Sequence, residues 1–369
     1  MFCDVIDNFG DAGVTYRLVR NLIIELSGVR IRLFTNGLKA FSELNGDIDS
    51  CSKSQSIGGA EYYSYEVIDE EFLRKYPPAE LVIEAFACNI PQLYYQTALN
   101  SECLIINIDH LSAEKWIEGI HLKESLTGAK AKKFFFMPGF TLNSGGLILD
   151  RIHSVSEKKQ FRKDLCRFFK LDGDALIGTV FTYEHDFSGL ISDIFTYGKK
   201  TELIIFGEKS RSSFEPLLMN FGFDRMGNRF SKKNMTVIFA GFILQENYDL
   251  LLKAADFNFV RGEDSWARAC LSGRPFIWHS YFQKDNYQLV KVKAFNDLLK
   301  SYYADTELFG KLSEYQTVFN DRSDGVKDLP FSFFLENLEP ISSSNEDMSE
   351  FLFKNCNLIN NLLFFADSL

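Results

Sequence analysis

The sequence predicts an α/β protein built from two Rossmann-like units, and three features of the chain carry that expectation. It opens with a strand, loop, helix and strand in quick succession. A second series of short apolar runs begins near residue 176 and alternates with helical stretches. Between the two, residues 151–170 form a charged helical segment with Glu157, Lys158, Lys159, Arg162, Lys163 and Asp164. A chain of 369 residues is long for one domain, and 46% hydrophobic content is enough for two cores.

Residues 2–6 read as the first strand. Val14, Leu18, Leu22, Ile23 and Leu26 recur at helical spacing through about Ser27, and residues 29–34 read as the next strand. Residues 81–85 and 104–108 are further strands, with a helix near 92–99 between them and a short apolar run at 134–137. The second series places strands at 176–181, 203–206, 235–239, 257–260 and 276–278. The polar run 341–346 reads as a loop, and residues 347–366 as an amphipathic helix. The expected organisation is a first unit at 1–150, a linker helix at 151–170 and a second unit at 171–346. A tail helix at about 347–369 is expected to pack back on the first unit. Two such units imply a cleft between them as the ligand site.

The net charge of −10 disfavours a nucleic-acid partner. Seven scattered cysteines, with no CxxC pair, disfavour disulfides and structural zinc. No signal peptide and no 18-residue apolar run is present, so the expectation is a cytoplasmic protein with no membrane partner. The chain holds no GxGxxG and no GxxxxGK[ST], which disfavours dinucleotide binding and P-loop chemistry. Asp172-Gly173-Asp174 lies in a turn and is not expected to hold a metal. His110, His121, His153, His185 and His279 form no spacing motif, and Cys3 and Cys270 read as buried small residues.

Two loops carry chemistry. Arg261-Gly262-Glu263-Asp264-Ser265-Trp266 follows an apolar strand and opens a helix, the position where open α/β sheets bind ligands. Glu263 suits sugar hydroxyls. Ser265 and the N–H groups around Asp264 suit a diphosphate. The competing reading is a solvated loop with a capped helix. Phe181 and Tyr183 also end a strand. Phe242 is placed to stack on a base and Gln245 to pair with its edge, although a core Phe is the plainer reading of Phe242. In the first unit, Asp7 and Asp11 flank a turn with Gly10 and Gly13. Paired carboxylates suit base chemistry, whereas Asp11 as a helix cap is the plain reading.

Four stretches together resemble one family, the protein-arginine rhamnosyltransferases that modify bacterial elongation factor P (EarP). They are Phe2-Cys3 with Val5-Ile6-Asp7-Asn8-Phe9-Gly10-Asp11, residues 111–119, residues 134–141 with Gly145-Gly146, and residues 261–265 through 273–279. The resemblance implies a GT-B glycosyltransferase with two facing Rossmann-like domains. It also implies no metal or other cofactor, TDP-β-L-rhamnose as donor, inversion at the anomeric carbon, and an arginine of elongation factor P as acceptor. By matching position it makes Asp7 and Asp11 the essential acceptor-side aspartates, with Asn8, Phe9 and Gly10 beside them, and Glu263 the essential glutamate. Tyr183, Phe242, Gln245, Asp264 and Ser265 match nucleotide-contacting positions, and Phe181 matches less closely. The family's first strand usually starts several residues earlier, with a Trp-Asp-Ile-type sequence, so two expectations stand side by side: a short first strand, or a natural start upstream of Met1.

An arginine acceptor is protonated and delocalised, with a pKa above about 12. One carboxylate can hold its planar fork while a second takes the proton. Asp11 is expected to be the base and Asp7 the orienter. Two alternatives stay open on the residues: a GT-B transferase with another acceptor, and a non-catalytic binder of nucleotide sugar or translation factor.

Overall fold

The computed structural model describes residues 1–6, 10–149, 155–323 and 329–369. The chain divides into two compact units, Met1–Asp150 with Leu352–Leu369, and Arg151–Phe351.

The first unit holds eight strands: β1 Phe2–Cys3, β2 Ile31–Thr35, β3 Ser54–Ile57, β4 Ala60–Ser64, β5 Leu81–Ala85, β6 Leu104–Ile108, β7 Glu124–Ser125 and β8 Lys132–Phe136. Their order is β3-β4-β2-β1-β5-β6-β8-β7, parallel except for the edge strands β3 and β7. The parallel strands step outward from β1 to β2 and β4 on one side, then from β5 to β6 and β8 on the other. This is the doubly wound order, with its reversal between β1 and β5. Strands β5 and β6 are almost wholly apolar because both faces are covered. The exception on β5 is Glu84, whose carboxylate pairs with Lys133 Nζ of β8 at 2.5 Å and is thereby spared an unpaired buried charge.

Much of the chain's phenylalanine is core. Phe2 stacks on Phe34 with ring centres 4.8 Å apart, and Tyr94 meets it edge-on at 4.6 Å. The opposite face of the sheet is covered by helix Gly10–Glu25, which buries Ala12, Leu18, Val19 and Leu22. Helix Leu358–Asp367 joins the same core through Leu358, Ile359 and Leu362. Main-chain hydrogen bonds hold it there: Leu147 N–H donates to Cys356 O, and Leu358 N–H to Leu147 O, both at 2.8 Å.

The second unit holds β9 Leu176–Val180, β10 Thr201–Ile205, β11 Asp224–Met226, β12 Arg229–Lys232, β13 Met235–Phe239, β14 Phe257–Arg261 and β15 Phe276–His279. The order is β11-β12-β13-β10-β9-β14-β15. The five strands from β13 to β15 are parallel, and here the reversal lies between β9 and β14. The β11–β12 hairpin extends one edge.

Two expectations need correction. The charged helix forms as Val155–Phe169, but it belongs to the second unit and is not a linker. Arg162 fixes it there, donating to Ala254 O and Ala175 O and pairing with Asp256, each at 3.0 Å. Residues 341–346 are not a loop; they lie inside helix Leu338–Asn355. Their polar side chains point at the open carbonyls where helix Asp264–Ser272 ends. Ser342 reaches Gly273 O at 3.4 Å, Asn345 Nδ2 donates to Arg274 O at 2.9 Å, and Ser349 donates to Leu271 O at 2.9 Å. Asn345 Oδ1 also accepts from the buried Tyr303 hydroxyl at 2.9 Å. Asn345→Leu keeps the volume but strands the Tyr303 hydroxyl and the Arg274 carbonyl. The second unit should lose about 2–4 kcal/mol. Denaturant unfolding followed by tryptophan fluorescence checks this, and an unchanged midpoint would dismiss the contact as idle.

Candidate active site

In a doubly wound sheet, ligands bind beyond the carboxyl ends of the strands where the order reverses. In the second unit that position is formed by the segments leaving β9 and β14. Arg261 ends β14, Gly262 turns the chain with φ +60°, and Glu263 leads into helix Asp264–Ser272. The turn is held from below. Trp266 is buried and stacks on Trp278 of β15, ring centres 3.9 Å apart and planes within 8°. Trp278 Nε1 donates to Gly262 O at 2.9 Å. The buried Ser265 Oγ accepts from Arg261 N–H at 3.2 Å and donates to Arg261 O. The Ser265 side chain is thus committed to the turn, and its hydroxyl proton faces the main chain. Glu263 is half-buried at the helix cap position, where its carbonyl accepts from Ala267 N–H. Asp264, in the first turn, lies 3.9 Å from the buried Arg268 Nε.

Arg261 draws the two segments together. Its guanidinium lies over the Phe181 ring at 4.2 Å and the Tyr183 ring at 5.0 Å, and it donates to Thr182 O at 3.1 Å. Ser210 clamps Thr182 from the other side, accepting from its N–H at 2.7 Å and donating to its carbonyl at 3.1 Å. Lys209 Nζ sits 5.3 Å from the Tyr183 ring centre. Arg322 donates to Glu184 O at 2.6 Å and lies 3.0 Å from His279 Nε2. Three cationic groups therefore gather beside one strand end, in a chain whose net charge is −10. Such a focus suits a polyanion such as a diphosphate. His279 is not a base here. Burial, then His185, Arg322 and Arg261, hold its pKa well below the usual imidazole value, so the ring is neutral and structural.

The other predicted donor residues follow β13, farther along the same sheet. Phe242 is exposed, at 61% of its full surface, which removes it from the core. Gln245 starts helix Gln245–Ala254. The structure thus brings Phe181, Tyr183, Glu263 and Ser265 to one strand end, with Phe242 and Gln245 on a neighbouring segment. The sequence reading passed over Ser210, Lys209 and Arg322 as site residues. Lys209 and Ser210 are neighbours in helix Glu208–Asn220, whereas Arg322 follows helix Thr306–Asn320, so only tertiary packing brings them together beside the end of β9. Asp172-Gly173-Asp174 is a turn in which Asp172 pairs with Lys200 at 2.8 Å and accepts from Asp174 N–H.

In the first unit the corresponding position lies after β1 and β5. Asp7, Asn8 and Phe9 lie outside the described residues. Gly10 and Asp11 open helix Gly10–Glu25, and Asp11 Oδ2 accepts from Ile6 N–H at 3.0 Å. The carboxylate therefore ties Ile6 to the first helical turn, where the helix dipole favours negative charge. Asp4 Oδ2 accepts from Asn89 N–H at 2.9 Å and so ties the β1 loop to the segment after β5. That segment is strained, because Phe86 and Ala87 both have positive φ (57° and 50°). Phe86 stacks on His110 with ring centres 4.6 Å apart. Among the described residues no group of three or more His, Cys, Asp or Glu is placed to hold a metal ion, and no helix is long and apolar enough to cross a membrane.

A family model described as Elongation-Factor P (EF-P) rhamnosyltransferase EarP matches residues 1–367. The chain belongs to that family. Relatives called protein-arginine rhamnosyltransferase include one from Pseudomonas putida, 33% identical over 312 residues and covering 80% of this chain and 79% of the relative. One from Shewanella oneidensis is 31% identical over 317 residues, with 80% and 79% covered. A solved structure described as "Structural basis for EarP-mediated arginine glycosylation of translation elongation factor EF-P" aligns with a TM-score of 0.63 and 20% identity, covering 100% of this chain and 98% of that one. A glycosyltransferase from Rickettsia africae aligns with a TM-score of 0.51 and 11% identity, covering 99% and 96%. These two likenesses establish the α/β glycosyltransferase-type fold. In this EarP family member, Gly207 follows β10 with φ +75°, and a Cβ there would come within 2.8 Å of Phe181 Cε2. Gly207→Ala should cost about 1–3 kcal/mol and push Phe181 out from beneath Arg261. A fall in melting temperature is the expected result, and an unchanged value would show that the ring moves aside freely.

Proposed function

We propose that this chain is a cytoplasmic, metal-independent transferase that moves L-rhamnose from TDP-β-L-rhamnose to an arginine side chain of elongation factor P, with inversion. The observation that carries the reading is the Arg261 guanidinium on Phe181 and Tyr183, with Lys209 and Arg322 nearby, at the strand reversal of the second unit. Fixed cations supply there the charge stabilisation that a departing diphosphate needs. The main-chain N–H groups of Asp264 and Ser265, at the start of their helix, add to it. Glu263 accepts hydrogen bonds from hydroxyls of the nucleotide sugar. Exposed Phe242 offers a face for the base, and Gln245 an amide for its edge.

In the reaction a guanidinium nitrogen of the acceptor attacks the anomeric carbon from the face opposite the diphosphate. The new C–N bond forms as the C–O bond to the β-phosphate breaks, and TDP leaves with the electron pair. Asp11 takes the nitrogen's proton, and Asp7 holds the planar fork by paired N–H bonds. Support for Asp11 comes from its place in the first helical turn, where its Ile6 hydrogen bond fixes the carboxylate.

The test is one incubation with TDP-rhamnose and elongation factor P, read by mass spectrometry. A deoxyhexose adduct on a single arginine is expected. Turnover only with another acceptor, or binding without transfer, would replace this reading. Asp11→Asn preserves an oxygen for the Ile6 N–H, so the loop should survive while transfer falls by at least about a hundredfold and TDP-rhamnose affinity stays within about twofold. Loss of donor binding in that variant would move Asp11 to the donor side. Glu263→Ala should weaken TDP-rhamnose binding in calorimetry by roughly tenfold; unchanged affinity would remove Glu263 from the donor site.

A further inference from the structure

In the first unit the sheet order reverses between β1 and β5, and the segments leaving β1, β5 and β6 are tied to one another at that end. Asp4 joins the first to the second through Asn89 N–H. Phe86 N–H joins the second to the third, donating to Ile108 O at 2.7 Å. The chain then leaves β5 through two left-handed residues, Phe86 and Ala87. Neither is glycine, so the turn carries backbone strain of the kind that collects at ligand sites. The Phe86 ring lies flat against His110, with planes within 14°. Asp109 Oδ1 accepts from His110 N–H at 2.7 Å and steadies that residue's main chain. Phe86 is half-buried and packs on the apolar core under helix Gly10–Glu25, so it is the fixed lower member of the pair. His110 is exposed, and with one face of its ring on Phe86 the opposite face is turned outward.

An outward aromatic face at this place has a chemical match. A guanidinium is planar and weakly hydrated, and it stacks on rings while its N–H groups stay free along its edge for carboxylates. Asp11, at the start of the helix that follows the β1 loop, supplies such a carboxylate. We propose that His110 is an acceptor-binding residue whose outer ring face stacks on the guanidinium of the arginine to be modified. This inference rests on the first unit taking that arginine, and it divides the work there. The ring fixes the plane of the fork, and the carboxylates engage its edge and its proton. A stack needs a ring and not a ring nitrogen, so phenylalanine at position 110 would serve as well.

The test measures, by calorimetry, binding of elongation factor P and of the same factor with its acceptor arginine changed to alanine. The natural chain, His110→Ala and His110→Phe are compared. The natural chain should prefer the arginine form. In His110→Ala that preference should fall by roughly threefold to thirtyfold, the range of one cation–ring contact, while affinity for the alanine form stays within about twofold. His110→Phe should keep the preference to within about threefold. Because His110 is exposed, the melting temperature and TDP-rhamnose affinity of His110→Ala should match those of the natural chain. An unchanged preference in His110→Ala would overturn the proposal. So would an equal loss in His110→Phe, which would assign the effect to a ring nitrogen. A lower melting temperature with weaker binding of both forms would also overturn it, by making the stack structural. If the natural chain binds the two forms equally, the reading of the first unit as the acceptor-arginine site falls instead, so the two failures are distinguishable.

Discussion

Trp266 and Trp278 lie face to face beneath the Arg261–Trp266 turn, and the second unit's site depends on that contact. Trp278 is fixed by β15 pairing with β14, and its indole N–H holds the Gly262 carbonyl. Trp266 anchors the first turn of the helix that presents Asp264 and Ser265. A loop carrying Arg, Glu, Asp and Ser would otherwise be a solvated, mobile segment. The stack makes it a fixed array of charges and N–H groups, the preorganisation on which electrostatic catalysis rests.

The same constraint propagates sideways. With the turn fixed, Arg261 reaches back over Phe181 and Tyr183, and its hydrogen bond to Thr182 O joins the ends of β9 and β14. Ser210 then locks Thr182, and Gly207 leaves room for the Phe181 ring. Tyr248 sits under that ring with its hydroxyl turned towards Ser265. A small displacement at any of these points would shift the cations relative to one another, and a chain of overall charge −10 has no surplus of cations to replace them. The first unit is organised by different means: the Asp11 and Asp4 carboxylates accept from the main-chain N–H groups of Ile6 and Asn89.

Composition and apolar spacing were a good guide to the long parallel strands, because both faces of those strands are covered and local hydrophobicity reports burial directly. They failed where burial is polar. Residues 341–346 have the composition of a loop, yet their Ser and Asn side chains are turned inward onto the last carbonyls of another helix. The charged helix Val155–Phe169 was read as a linker because its ionic side chains resemble a solvated surface, whereas Arg162 satisfies carbonyls of the second unit. The β3–β4 and β11–β12 hairpins at the sheet margins also went unread, being short strands of mixed polarity with no continuous apolar run.

The sequence by itself determined the doubly wound plan, the two strand-end loops that carry the chemistry, and the family, through motifs spaced along most of the chain. Tertiary structure alone decided which side chains meet at those loops. Arg261 and Thr182 are 79 positions apart, and Arg322 and Glu184 are 138. Nothing in their local spacing marks either pair. Parallel strand pairing sets β14 beside β9, and it is this register that brings distant residues within hydrogen-bond reach. It also decided that the Ser265 hydroxyl faces the main chain of Arg261, because side-chain direction follows from packing around each group and not from the identity of the residue.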